Sequence, residues 1–451
     1  MRDVAAHALD ERLALAGMSD EEVGRKTRLF ARASTALARR QTLRLWVPGR
    51  IEFLGKHTDY AGGRSLICTV ERGFAVVASA RDDRLVRLTD AVSSEHVELE
   101  LSPTLPSADG TWANYAITVV RRIARNFPGP LRGADIAFAS DLPPAAGLSS
   151  SSALVVATFL AIADLNALGA HEEYHRAITN ADDLAGYLGA IEGGAAFRSL
   201  DGDRGVGTFS GSQDHTAILC SRVGALVQYA FAPVRFERTV PLPSDHVFVI
   251  GASGVLAEKT GAALELYNRQ ARRVYALLDR WRASTGRTDA TLGAVLASSP
   301  DALDRLRRIV RNPDVHPIIA DGFDVADLVP RLDQFATEAD EIIPQAGNAL
   351  ERGDLVTLGQ LVDRSQRGAE LLLGNQVPET FHLARSARSL GAVAASAFGA
   401  GFGGSVWALV ARSEAERFVQ CWREAYDNHF PEHADRAAFF VTSAGPAAMR
   451  L

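Results

Sequence analysis

The stretch GRIEFLGKHTDYAGG, residues 49–63, places Arg50, Glu52, Lys56, His57 and Asp59 within ten residues and ends on two glycines. Two readings are open. It is either a surface loop with many solvated charges or a pocket wall for something covered in hydroxyl groups. A carboxylate accepts neighbouring hydroxyl donors, and a histidine donates or accepts. A metal site is the weaker rival, since no third ligand stands near His57 and Asp59.

A second stretch, DLPPAAGLSSSSALVVATFLAIADL, carries a different chemistry. Pro143, Pro144 and Gly147 stop a strand and form a turn. Ser149, Ser150, Ser151 and Ser152 then open a helix that is apolar nearly all round, hence buried. The first N–H groups of a helix lack internal partners and carry the positive end of its dipole, so they can take a phosphate. A serine-capped core helix without any phosphate is the equally weighted alternative.

A third stretch, AFGAGFGGSVWALVA, holds Gly399, Gly401 and Gly404 in GxGxxG spacing. A dinucleotide fingerprint needs a helix directly afterwards and a βαβ unit around it. A strand-like run follows instead. The stretch therefore reads as a glycine loop that lets backbone pack close to another loop or a ligand.

These pieces need elements to hold them. Residues 1–40 read as a helical segment, and TLRLWVPG as a strand entering the first stretch. RSLICTVERGFAVVASAR and LVRLTD alternate like strands, and a helix is expected from near Thr111. Further helices are expected over Glu172–Glu192, Thr260–Arg282, Asp324–Arg352 and Pro378–Leu390, with strands at HVFVIGAS and SVWALVA. Prolines 233, 241 and 243 suggest a boundary, giving units 1–40, 41–235 and 236–451.

With 451 residues, 47% hydrophobic and 23% charged, the chain has ordinary globular composition. A net charge of −6 offers no footprint for nucleic acid or an anionic membrane. Three scattered cysteines form no metal or redox motif and fit a reducing cytoplasm. No apolar run suits a signal or a membrane span. Oligomeric state is not set by the sequence.

Together and in order, the three stretches resemble the GHMP kinase superfamily of galactokinase, homoserine, mevalonate and phosphomevalonate kinases. PGRIEFLGKHTDYAGG is similar to the sugar signature of its galactokinase branch, PPAAGLSSSSAL to the superfamily's ATP loop, and FGAGFGGSVWAL to its third motif. The resemblance runs from about Leu43 to Leu409.

It implies an α+β fold of two domains with the site in the cleft between them. It also implies ATP and Mg²⁺, a monosaccharide acceptor and transfer to the anomeric C1 hydroxyl. Asp214 in GSQDH takes the catalytic position, and Arg50 would keep it ionised and stabilise the transferring phosphoryl group. Glu52, Lys56, His57, Asp59, Gly211 and Tyr267 would meet the sugar. Trp112 in WANY, Gly147, Leu148, Ser149, Ser150, Ser151, Ser152, Gly399 and Gly401 would meet ATP. Ser151 and Glu192 in AIEGG would hold Mg²⁺.

Four positions depart from the galactokinase pattern. Lys56 stands where glutamate is usual, Glu52 for asparagine, His215 for glutamine and Phe398 for threonine. The insertion FRSLDGDRGVG also lengthens the approach to Asp214. Charge reversal at Lys56 leaves two substrates open: galacturonate, whose carboxylate Lys56 would meet, or galactose, with Lys56 paired to Glu52. A non-catalytic sugar and ATP sensor is the rival of another class. A kinase for another small alcohol is the third, with the HTDY segment against it.

Overall fold

The computed structural model describes residues 2–37, 40–144, 146–256, 261–312, 314 and 322–451. Its larger sheet is built from β1 (Leu43–Leu54), β2 (Arg64–Ala80), β3 (Leu85–Asp90), β4 (His96–Glu100), β5 (Ala134–Ser140), β6 (Ala225–Ala230), β7 (Arg235–Pro241) and β12 (Met449–Arg450). Their order is β12-β1-β2-β5-β3-β4, with β6 and β7 joined to the other end of β2. Every pairing is antiparallel except β3 with β5.

The smaller sheet contains β8 (His246–Ala252), β9 (Ala394–Phe398), β10 (Ser405–Ala411) and β11 (Ala438–Thr442), ordered β11-β8-β10-β9 and fully antiparallel. Since β7 still pairs with β6, the chain leaves the larger sheet between 241 and 246, a few residues beyond the expected 235/236.

The strand entering the first stretch runs further than expected. Residues 49–54 are strand, and only Gly55–Gly63 form the turn. β1 shifts register against β2 between Pro48 and Arg50 and again between Glu52 and Leu54. Such irregularities re-aim side chains near functional sites; here they flank Arg50 and Glu52, which as alternate residues share one face.

The helices Arg2–Leu15 and Asp20–Ala36 cover one face of the larger sheet, burying Leu13, Phe30 and Ala33 against Trp46, Val77 and Ala139. On the opposite face lies the helix Ser150–Leu165, with Val155, Phe159 and Ile162 fully buried. The same core continues through Phe248, Ile250, Trp407 and Leu409 of the smaller sheet. Phe53 of β1 stacks on Trp407 of β10 at 4.2 Å, so the sugar-signature strand is a direct contact between the sheets.

Two expected helices are divided. Glu172–Glu192 is two helices, Glu172–Ala177 and Ala181–Gly193, because the Asn180 side chain caps the second by accepting from Asp183 N. Asp324–Arg352 runs as Val325–Ala336, a π-helical turn Thr337–Ile342 and Ile343–Glu351. The expected start at Thr260 lies outside the described residues, and the helix is described over Gly261–Thr285.

Candidate active site

Two cavities meet between the sheets. The smaller encloses about 420 Å³, counting its open mouth, and is lined by Arg50, Glu52, His57, Asp59, Tyr60, Ser152, Glu192, Gly211, Asp214, Tyr267 and Gly399, among others. The larger encloses about 1450 Å³ on the same measure. Its lining includes Phe74, Glu95, Trp112, Tyr115, Phe138, Gly147, Ser149, Ser150 and Ser151. Arg50, Asp214 and Ala400 belong to both.

At this junction Arg50 Nε donates to Asp214 Oδ1 at 2.7 Å, and Arg50 Nη1 donates to the Gly147 carbonyl at 2.6 Å. The Ser152 hydroxyl donates to Glu192 Oε2 at 2.9 Å and lies 3.3 Å from Asp214 Oδ2. One guanidinium, two carboxylates and a hydroxyl thus surround the boundary between the cavities. A hydroxyl group placed there would have Asp214 beside it as a proton acceptor, and incoming negative charge would face Arg50.

The helix tip is shaped by backbone conformation. Gly147 has φ +75° and Ser149 φ +60°, both left-handed, and both residues line the larger cavity. The Ser149 hydroxyl is buried without a partner among the described residues. An orphaned donor at a helix N-terminus suits a phosphate oxygen. Farther along, Trp112, Phe138 and Phe74 form an aromatic wall, with Trp112 and Phe138 edge to face at 6.1 Å. Trp112 Nε1 donates to Glu95 Oε2 at 3.0 Å, which fixes the indole plane.

The glycine loop after β9 packs onto this tip. Ser405 Oγ donates to the Ala146 carbonyl at 2.5 Å, and a Cβ on Gly399 would stand 3.0 Å from the Gly147 carbonyl. β10 follows the loop directly, as the rejection of a dinucleotide fingerprint required. Gly399 faces the smaller cavity, whereas Gly401 lines neither and packs on Asn375. Leu148 is buried, and its carbonyl accepts from Arg50 N at 3.1 Å.

The sugar-signature residues divide into two groups. Asp59 accepts from Gln213 N at 3.1 Å, and a Cβ on Gly211 would stand 2.3 Å from Asp59 Oδ2. Glycine at 211 is therefore what lets the turn approach the Asp214 loop. His57, at φ +56°, has both ring nitrogens engaged: Nδ1 lies 2.9 Å from the Tyr60 hydroxyl and Nε2 3.0 Å from the Ala400 carbonyl. Because a carbonyl only accepts, Nε2 carries the proton. The Tyr267 ring stands 5.2 Å from the His57 ring, and burial raises its phenol well above the usual tyrosine range.

Lys56 is the main correction. Its ammonium does not line the smaller cavity; it turns into the protein, donating to Ser396 Oγ at 2.8 Å and Ser365 Oγ at 3.3 Å. Ser365 Oγ donates in turn to Glu338 Oε1 at 2.9 Å. No ion pair joins Lys56 directly to Glu52, although its charge lies close enough to lower the pKa of that carboxyl. The direction of the ammonium is set by the turn itself, in which Gly55 at φ +123° and His57 at φ +56° face Lys56 away.

A smaller correction concerns the serines. Ser151 opens on the larger cavity while Ser152 faces the smaller one, so Ser152 makes the contact with Glu192. His215 Nε2 stands 3.2 Å from the same carboxylate, without hydrogen-bond geometry.

Several participants lay beyond sequence reasoning. Arg331 donates to the His57 carbonyl at 2.6 Å and fixes the turn from the second half of the chain. Phe138 and Phe74 complete the aromatic wall, and nothing in the spacing of two strand residues signals it. Tyr60 was in view within HTDY and could have been named.

Comparison with known proteins agrees with this architecture. The description "GHMP kinases N terminal domain" matches residues 114–196, and "GHMP kinases C terminal" matches residues 348–428. "Galactokinase galactose-binding signature" matches residues 42–80. A galactokinase of Roseiflexus sp. (strain RS-1) is 28% identical over 84% of this chain and 86% of its own. One of Chloroflexus aggregans is 27% identical over 88% and 90%. The crystal structure of Lactococcus lactis galactokinase complexed with galactose superposes with a TM-score of 0.74 at 21% identity, covering 94% of this chain and 98% of that one.

The chain belongs to the GHMP kinase superfamily, with its two-domain α+β fold. Within that superfamily it stands on the galactokinase branch, whose signature β1 and the following turn carry.

Proposed function

We propose that this protein transfers the γ-phosphoryl group of ATP to the anomeric C1 hydroxyl of a neutral, galactose-type monosaccharide. The carrying observation is the junction of a small polar cavity with a larger, aromatic-walled one at Arg50 and Asp214. The small cavity suits one sugar ring, and the larger suits a nucleotide whose phosphates reach the Ser149–Ser151 helix tip.

The step conserves charge simply. The sugar oxygen forms a bond to the γ-phosphorus, the bond from that phosphorus to the β-bridging oxygen breaks, and ADP leaves. The hydroxyl proton passes to Asp214. Arg50, held between Asp214 and the Gly147 carbonyl, faces the charge on the transferring group. Trp112 and Phe138 support stacking of the base. Buried Tyr267 and the His57 ring close the sugar side against water.

Among the described residues no cluster of three His, Cys, Asp or Glu side chains could hold a metal. Glu192 with the Ser152 hydroxyl is nevertheless an oxygen pair suited to Mg²⁺, which takes few protein ligands, while Ser151 faces the neighbouring larger cavity. When bound there, Mg²⁺ would supply neutralisation of the β- and γ-phosphate charge.

The alternative sensor role lacks support in a site where Arg50, Asp214 and the serine tip converge. The galacturonate alternative loses its motive with Lys56 turned away from the cavity. The test is ATP consumption with a panel of hexoses, pentoses and uronic acids, with ³¹P NMR placing the phosphate on the product. Sugar-dependent turnover at C1, lowered about 10²- to 10⁴-fold in Asp214→Asn, is expected. Turnover absent with every sugar, or unaffected by that substitution, refutes the reading.

A further inference from the structure

Glu52 is a charge-bearing residue that the mechanism above leaves without work. It lies on β1 two residues after Arg50, lines the small cavity and is 3% exposed. Its Oε1 has no hydrogen-bond partner among the described residues. Burying an unmatched carboxyl is costly, and a native protein retains one where a ligand completes it. Lys56, the cation nearest in sequence after Arg50, is committed to Ser396 and Ser365. Arg50 is committed to Asp214 and Gly147. Both soften the cost of burying Glu52 through space, yet neither hydrogen-bonds its Oε1.

The same cavity gathers the carboxyl groups of Glu52, Asp59, Glu192 and Asp214, with Arg50 the only Lys or Arg among the described residues of its lining. Such a wall accepts hydroxyl donors. The relation between positions 52 and 56 becomes intelligible on these terms. The carboxyl that reads the sugar stands on the strand, and the lysine on the turn serves the protein interior.

We propose that Glu52 is a specificity-determining residue whose unpartnered carboxyl oxygen takes a hydroxyl of the bound sugar. A site built to hydrogen-bond a hydroxyl discriminates strongly against an analogue lacking it, because its own buried group is then left unmatched. The inference rests on the sugar-kinase reading.

The experiment compares the full-length wild type with Glu52→Leu and Glu52→Asn on galactose and each monodeoxygalactose, with KM for sugar and for ATP measured separately. In the wild type, one monodeoxygalactose is expected to lose at least tenfold in kcat/KM relative to galactose. In Glu52→Leu that penalty falls to within about twofold, and sugar KM for galactose rises at least tenfold while ATP KM stays within about twofold. Should Glu52→Leu fail to fold, Glu52→Asn carries the same comparison, since its amide falls one methylene short.

Identical deoxy-sugar penalties in wild type and variants overturn the proposal. Wild-type protein with no sugar-dependent turnover would instead overturn the sugar-kinase reading, and this inference with it.

Discussion

Replacing Lys56 by glutamate should damage folding and leave sugar choice alone. Lys56 Nζ and Glu338 Oε1 both lie within 3.3 Å of the Ser365 hydroxyl. That leaves the two charges roughly 5–6 Å apart, worth about 3 kcal/mol at an effective dielectric constant near 20. Lys56→Glu removes this attraction and puts a second acid beside Glu338, which also accepts from Gly55 N at 3.0 Å. Breaking a buried charge arrangement by one partner costs about 3–5 kcal/mol. We therefore expect a loss of about 4–6 kcal/mol, read as a fall of roughly 10 °C in the thermal midpoint at the few degrees per kcal/mol of larger domains. Lys56→Met fills the same space without adding a charge and should fall by about half as much, keeping the wild-type order of galactose over galacturonate. Denaturation curves with kinetics on both sugars decide the matter. A Lys56→Glu protein with the wild-type midpoint and an altered sugar preference would show that the ammonium faces the substrate, and the placement argued here would fail.

Two further outcomes can be checked directly. Gly401 has φ +81°, and a Cβ there would stand 2.1 Å from the Asn375 carbonyl, so Gly401→Ala must displace backbone; since the neighbouring Ala400 carbonyl holds His57, sugar KM should rise by about tenfold or more, and unchanged kinetics would contradict the packing. Burial raises the Glu52 carboxyl from 4.5 to about 8, opposed by Lys56 and Arg50 and reinforced by Asp214 and Glu338. Between those values the folded protein keeps a proton that the unfolded chain releases, so stability is highest below 4.5 and is lost as pH rises to about 8, by on the order of 5 kcal/mol at most. Glu52→Gln removes the titration; its denaturation midpoint should gain on the wild type from pH 5 to 8 and then hold level, and parallel curves would contradict the burial.

What the sequence revealed and what it hid follow from the range of the interactions. Proline and glycine punctuation with an apolar helix behind it located the serine tip, because capping and helix termination are local. Four consecutive serines could not say which hydroxyl faces which cavity. Each residue turns the helix by about 100°, and that rotation sends Ser151 to one side and Ser152 to the other. Arg50 and Glu52 were legible as chemistry but not as strand residues, since the charged stretch masks the alternation of β1. The direction of Lys56 was unreadable, as it depends on left-handed residues at 55 and 57 and on Ser365 and Ser396, some three hundred residues downstream. The break at Asn180 was within reach, because asparagine before a run of acids is a common helix start.

The return of the chain to its first sheet has a mechanical consequence. After β11, residues 442–445 are stitched to β2: Glu71 N donates to the Thr442 hydroxyl at 3.1 Å, and Thr69 Oγ1 donates to the Gly445 carbonyl at 2.6 Å. β12 then adds itself alongside Leu45 and Trp46 of β1. The two halves are thus strapped together by two covalent spans, one between β7 and β8 and the other running from β11 to β12. With such a double tether, any swing of one half against the other must bend both spans together, so its axis runs through the pair of them.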